Sequence, residues 1–300
     1  MKTRCKSIIR AAHHLLLGAV LLIASGAQAQ NLFVSDAWYN RILEFTPGGA
    51  QSTFASGATW AVGLAFNRAG DLFAAFPGNN TIGEITPGGV QSTFASGLAF
   101  PVGLAFNSAG DLFETDANSD SINEFTPGGV RSTFASGLYN PWGLAFNSAG
   151  DLFETDSASG NVYKFTPGGV RSTFASGLSM PTGLAFDSAG DLFVSSPGNS
   201  QIFEFTPGGV RSTFASGLNA PQDLAFDNAG DLFEADANSG NVYEFTPGGA
   251  RSTFASGLGA HALAFQSETL PVPEPSVSGL LAVGAATLFV RRQRKLEQFN

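Results

Sequence analysis

Cysteine is almost missing. The 300-residue chain holds one, Cys5, inside its basic first stretch. A disulfide-stapled fold and a cysteine-based metal site are therefore excluded, and stability has to come from packing. Charge is scarce too: 13% of residues are charged, about half the usual share. Methionine occurs twice and histidine three times, His261 being the sole histidine after residue 14. No apolar run reaches the ~20 residues of a transmembrane helix. The Ala, Glu, Lys and Leu richness of helical bundles is missing as well, so a coiled coil is excluded. Abundant phenylalanine (28 residues) and glycine (37 residues) take their place, and a chain so aromatic is not globally disordered. The net charge of −9 argues against nucleic acid as a partner.

The two ends read as processing signals. Lys2, Arg4, Lys6 and Arg10 precede an apolar stretch from Leu15 to Ala24, and Ala27-Gln28-Ala29 has the small-x-small cleavage pattern. Residues 1–29 are thus predicted to be a secretory signal peptide, with Gln30 as the mature N-terminus. Cys5 lies ahead of the apolar run, so it is not placed for lipidation. Residues 267–276 form a linker with the motif Pro273-Glu274-Pro275-Ser276, and residues 277–300 hold an apolar run followed by Arg291, Arg292, Arg294 and Lys295. Between these ends, residues 30–270 keep 7 basic and 22 acidic side chains, a net of −15, which predicts a soluble anionic body.

The body is one unit written six times. Gly-Asp-Leu-Phe recurs with Asp71, Asp111, Asp151, Asp191 and Asp231, a period of 40, and a sixth copy starts at Asn31-Leu32-Phe33. Periods of this size mean a repeat architecture. In the copy beginning at Pro141, four apolar runs of 4–7 residues are separated by Asn147–Asp151, Ser157–Gly160 and Pro167–Gly169. Such runs are too short for helices, are bounded by turn formers, and are rich in Phe, Val, Thr and Tyr. Each unit is predicted to be four antiparallel strands, a to d. Each strand carries a phenylalanine at a fixed place; of 24 such places 23 hold Phe and one holds Ile85. This ladder reads as core.

Six such sheets predict an all-β, six-bladed β-propeller over residues 30–266. The chain begins at strand b and ends on strand a (Ala262 to Phe265), so one blade joins N-terminal b, c and d to a C-terminal a. The units resemble NHL repeats, in Pro141-Trp142-Gly143-Leu144-Ala145-Phe146 and Gly150-Asp151-Leu152-Phe153-Glu154-Thr155-Asp156, and the Phe-Thr-Pro-Gly-Gly segments resemble virginiamycin B lyase. The C-terminus resembles the PEP-CTERM sorting signal. That resemblance implies processing by an exosortase, transient membrane association through the apolar helix, and delivery to the outer surface or extracellular matrix of a Gram-negative bacterium. The five residues Leu296–Asn300 extend past the point where such tails usually stop.

The d–a loops differ from blade to blade while the a–b and c–d turns hardly change, which puts a binding surface on the loop face. The last loop residues, Val62, Val102, Trp142, Thr182, Gln222 and His261, are expected to ring the channel mouth. Asp223 stands where four other blades have glycine. Trp142, Gln222, Asp223 and His261 are therefore the candidate ligand residues, for a glycan or a protein partner. Resemblance to the lyase places a catalytic histidine near His261; the rival reading is thus a lyase or lactonase with its site at Trp142, Asp223 and His261, and a third is a purely structural matrix protein without a discrete ligand. The partner histidines and acids of the lyase family, and the metal cluster of gluconolactonases, have no counterparts here. No cofactor is expected, and a divalent cation is the weaker alternative. Asp116-Ala117-Asn118-Ser119-Asp120 has Ser121 and Pro127 where an EF-hand needs Gly and Glu. Asp36, Asp116, Asp156 and Asp236 recur at one place and read as Asx turns, while Glu114, Glu154 and Glu234 read as recurrent blade features.

Overall fold

The computed structural model describes residues 30–266. The predicted signal peptide, the Pro273-Glu274-Pro275 motif and the C-terminal tail lie outside the described residues. Six four-stranded antiparallel sheets form the blades of a propeller. Blade 1 holds Leu32–Asp36, Arg41–Phe45 and Gln51–Ser56 as strands b, c and d. Its strand a is Ala260–Phe265, from the other end of the chain, with Leu32 opposite Phe265 and Val34 opposite Leu263. Blades 2 to 6 follow as continuous units, with strands a starting at Gly63, Pro101, Pro141, Leu184 and Pro221. The seam strand begins two residues before the expected Ala262, and strand a of blade 5 shrinks to Leu184–Phe186.

Local chemistry explains the invariant turns. In the a–b turn of blade 4, Asn147 Oδ1 accepts from the backbone of Ala149 and Asp151, at 3.0 and 2.8 Å, and Gly150 takes φ 84°. A side-chain acceptor followed by a glycine in the left-handed region is what this turn needs. In the c–d turn, Thr166 Oγ1 accepts from Val170 N at 3.2 Å. Every c–d pair is bulged once, as between Val162 and Tyr163, which sharpens the blade's twist.

The core lies between blades. Phe33 of strand b sits 4.9 Å from Phe54 of its own strand d and 4.9 Å from Phe66 of the next strand a, both edge to face. The same triplet recurs at every interface, including that between blades 6 and 1, where Phe233 meets Phe265 at 5.1 Å. Each such pair contributes about 0.5–1.5 kcal/mol beyond area burial. Near the axis the strands a touch backbone to backbone. A Cβ on Gly103 would fall 2.1 Å from Trp142 O, and one on Gly143 2.3 Å from Thr182 O, so only glycine fits.

Candidate binding site at the channel mouth

The b–c and d–a loops share one face, the loop face, and the a–b and c–d turns share the other, the turn face. On the loop face the strands a converge on a cavity of about 110 Å³. Val62, Val102, Trp142, Gln222, Asp223 and His261 all line it, together with the inner glycines and leucines. The cavity thus brings together the four candidate residues, Trp142, Gln222, Asp223 and His261. Thr182 departs from the expected ring. Its side chain is buried, with Oγ1 2.9 Å from Ser195 Oγ and 3.2 Å from Pro221 O, so it fastens blade 5 to blade 6 instead of facing the axis.

Asp223 is held by backbone. Its Oδ1 accepts from Leu224 N at 2.9 Å and its Oδ2 from Leu263 N of the next blade at 2.8 Å. Burial pushes this carboxyl up to about 6, against the two N–H donors that favour its charge. The exception coincides with a change in strand b, although blade 2 pairs the same alanine, Ala75, with Gly63. In blades 3 and 4 a threonine hydroxyl bridges neighbouring strands a: Thr155 Oγ1 accepts from Gly143 N at 2.8 Å and donates to Thr182 O at 2.5 Å. Blade 6 has Ala235 at that place, in register with Asp223. The aspartate therefore supplies an inter-blade bridge that the missing hydroxyl cannot. Its two oxygens are engaged, and it reaches the cavity as part of the wall.

His261 is half-buried, and burial pushes its imidazole below the usual range, so the ring is neutral around pH 7. Gln222 gives its carbonyl to Gly183 N at 2.7 Å, leaving its side chain at the mouth with one long contact, 3.5 Å, to Ala220 O. Among the described residues no three His, Cys, Asp or Glu side chains come together as cation ligands.

Aromatic side chains gather on the loop face, from the loops of blades 1 to 4, and of these Trp142 lines the mouth. Trp38, Tyr39 and Tyr139 are each more than half exposed, and Trp60 is 39% exposed. Trp60 and Phe100 meet edge to face at 5.5 Å, and Phe100 and Trp142 pack on the small Val62, Val102 and Ala117 cluster. Sequence reasoning missed a regularity here. Trp60, Phe100, Asn140, Met180 and Ala220 recur at intervals of 40, all with φ between 49° and 73°. The left-handed region suits asparagine and disfavours bulky side chains. Each of the first three is held from the b–c turn 20 residues earlier, Trp60 N donating to Asn40 Oδ1 at 3.3 Å and Phe100 N to Asn80 Oδ1 at 3.1 Å. Trp60 and Phe100 are thus kept in backbone strain at the surface.

The recurrent acids have other duties. Asp156 Oδ2 accepts from Tyr139 N at 2.7 Å and Asp236 Oδ2 from Asn219 N at 2.6 Å, pinning each d–a loop onto the b–c loop of its own blade. Their Oδ1 atoms also accept from Ser159 N and Ser239 N, three residues on, one beyond the donor of an Asx turn. The Asx reading is thus corrected, because the donors lie three residues downstream and 17 residues upstream. Glu114, Glu154 and Glu234 are fully buried between blades. Both carboxyl oxygens of Glu154 and Glu234, and one of Glu114, lack a hydrogen-bond partner among the described residues. Desolvation raises Glu114 to about 8, so it is protonated at neutral pH, and pushes the other two well above the ordinary range.

No protein family and no curated protein matches the chain. Solved structures do. A chain of the nidogen/laminin complex aligns with TM-score 0.73 and 22% identity over 79% of this chain and 98% of its own. Virginiamycin B lyase from Staphylococcus aureus aligns with TM-score 0.62 and 17% identity over 74% and 80%. A gluconolactonase from Xanthomonas campestris aligns with TM-score 0.63 and 21% identity over 77% and 86%. At these identities the likeness establishes the fold: a six-bladed propeller with neighbours of the NHL, lyase and lactonase types. A binding module and two enzymes share it, so function has to be argued from the site.

Proposed function

We propose that the protein is an exported binding module. Its loop face takes a macromolecular partner at the channel mouth, and its predicted signal peptide and exosortase signal deliver it to the cell surface or matrix. The carrying observation is the group of loop-face aromatic side chains beside a mouth of about 110 Å³, with Trp60 and Phe100 held at positive φ. Ligand pockets for small molecules run to ~300–1,000 Å³, so this mouth admits one protruding group and the aromatic side chains beside it supply the contact area. Exposed tryptophan and tyrosine on the face that carries this small, largely polar mouth are the composition of interface hot spots, which favours a protein partner over a glycan. The lyase or lactonase alternative loses support at Asp223, whose oxygens are both spent on backbone.

The test is retention of labelled propeller, residues 30–266, on cells of the producing strain that lack the gene. Binding should saturate. Trp142→Ala should weaken it about tenfold, a loss of ~1.4 kcal/mol. Trp60→Asn, which installs the residue of the blade 4 loop, should also weaken it while raising the thermal midpoint, because the backbone strain is relieved. Protease treatment of the cells should abolish retention; loss after glycosidase treatment instead would make the partner a glycan. Wild-type retention in both variants would overturn the site. Turnover of a lactone or a streptogramin that disappears in His261→Ala would restore the enzyme reading.

A further inference from the structure

The turn face carries a second kind of site, unrelated to the channel. Grooves open there between neighbouring blades. Three of them have volumes of about 310, 420 and 350 Å³, between blades 2 and 3, 5 and 6, and 6 and 1. All three share three phenylalanine rings, a glutamate and a Pro-Gly-Gly wall, and the groove between blades 2 and 3 has Asn67 where the others have Asp187 and Asp227. The groove between blades 5 and 6 has three rings, Phe193, Phe214 and Phe226, with Asp187 and Glu204 beside them and the Pro247-Gly248-Gly249 turn as its outer wall. An apolar aromatic floor with carboxylates at its edge is the environment that attracts a cation with an alkyl stem.

Blade 4 shows what such a groove accepts. There the residue in the place of Glu204 is Lys164. Its ammonium lies 5.7 Å from the centre of the Phe153 ring, the counterpart of Phe193, and 2.8 Å from Asp151 Oδ2. The chain thus sets an alkylammonium group of its own against the counterpart of the groove's Phe193, with a carboxylate of the a–b turn as its partner. The electrostatics agree with this contrast. Facing Lys164, the Asp151 carboxyl is held below its ordinary range. Where glutamate replaces the lysine, Glu124 is pushed up by partial burial and by Asp111, and in blade 6 Asp231 is pushed up by partial burial and by Asp227. Acids crowded without a counter-ion favour a bound cation.

We propose that the turn-face grooves flanked by Glu84, Glu204 and Glu244 bind primary alkylammonium groups, each in the manner of Lys164. The ligand chemistry is that of a lysine side chain or a free aliphatic diamine. Neither the loop-face partner nor the export route enters the argument.

Amide shifts in an NMR titration of the 30–266 chain at low salt provide the test, with cadaverine and pentalysine as probes. Saturable shifts are expected at Gly248 and Gly249. Glu204→Lys should abolish them, its own ammonium taking the groove. Lys164→Glu should open a new groove and give saturable shifts at Gly208 and Gly209. Arg68→Glu changes the charge by the same amount on the same face, outside the groove linings, and should change none of these. Glu204→Gln with Asp187→Asn should weaken binding at Gly248 at least tenfold, with the melting curve of each variant reporting that it is folded. Binding of both probes means that the ammonium group suffices. Binding of pentalysine alone assigns the site to protein lysines. Shifts that respond to Arg68→Glu as strongly as to Lys164→Glu would overturn the proposal as unspecific attraction, and so would the absence of shifts with either probe.

Discussion

Asp223 and Ala235 are best understood as one substitution made in two places. The hydroxyl that bridges blades 3 to 4 and 4 to 5 is missing from blade 6, and the carboxylate opposite it reaches Leu263 N instead. Asp223→Gly would restore the consensus residue but leave that N–H buried without a partner. An unmet buried donor costs about 1–3 kcal/mol. The single variant should lose about that much in urea denaturation, and Asp223→Gly with Ala235→Thr should recover part of it, because the new hydroxyl can bridge to His261 O as Thr155 does to Thr182 O while Leu263 N stays unmet. Equal stability of single and double variants would show that the bridge carries nothing. Asp223 was legible in the sequence as the residue that breaks the repeat, and His261 as the lone histidine. The reason for Asp223 was not legible, since its counterpart lies 12 positions on and is adjacent only through strand register. Thr182 was misplaced for a similar cause: its position in the loop is right, but Ser195 draws the hydroxyl off the axis.

At the level of the strands and their interfaces, the repeat was readable because each turn is specified locally, by Asn/Asp-x-x-Gly-Asp or Thr-Pro-Gly-Gly. Burial between blades is not local, so the glutamates of strand b gave no sign of it. Glu114 sits inside an interface, with Asn123 Nδ2 donating to one oxygen at 2.9 Å and the other oxygen unmet. Its folded-state pKa is about 8, against an ordinary 4.5. An acid with a raised folded pKa binds more protons folded than unfolded between those values. Its contribution to stability is therefore full below pH 4.5 and is lost as the pH climbs to about 8. Glu114→Gln keeps the shape of the protonated acid and removes the ionisation. The variant should match the parent at pH 5 and exceed it by about 2 kcal/mol or more at pH 9. Glu154→Gln should act in the same direction. Parallel stability–pH curves for parent and variant would mean that the carboxyl finds a partner when it ionises.

The whole ring depends on one place where the chain does not run continuously. Blade 1 takes strand a from the C-terminal end, and the seam is crossed by the pairing of Leu32 with Phe265 and by the ring pair Phe45–Phe254 at 5.5 Å. Elsewhere a blade is a single hairpin run, whose strands find each other over short loops. At the seam, residues more than 200 positions apart must meet, so the closure entropy is concentrated there. Opening the seam would expose strand edges on both sides and unpin the blades in sequence. It follows that the seam limits the stability of the entire body. The chain offers a clean way to test this, because no cysteine occurs among residues 30–266. Asn31 and Gln266 are the half-buried residues just outside the Leu32–Phe265 pair, with Gln266 N donating to Asn31 O at 3.3 Å. Paired antiparallel residues stand ~4.5–5.5 Å apart at Cα, inside the range a disulfide tolerates. Asn31→Cys with Gln266→Cys would tie a loop spanning nearly the whole propeller, for which the chain-entropy estimate is about 5 kcal/mol. At ~2–4 °C per kcal/mol for a body of this size, the oxidised form should melt at least ~5 °C above its reduced form. A disulfide that forms fully yet leaves the midpoint unchanged would move the first step of unfolding to another interface.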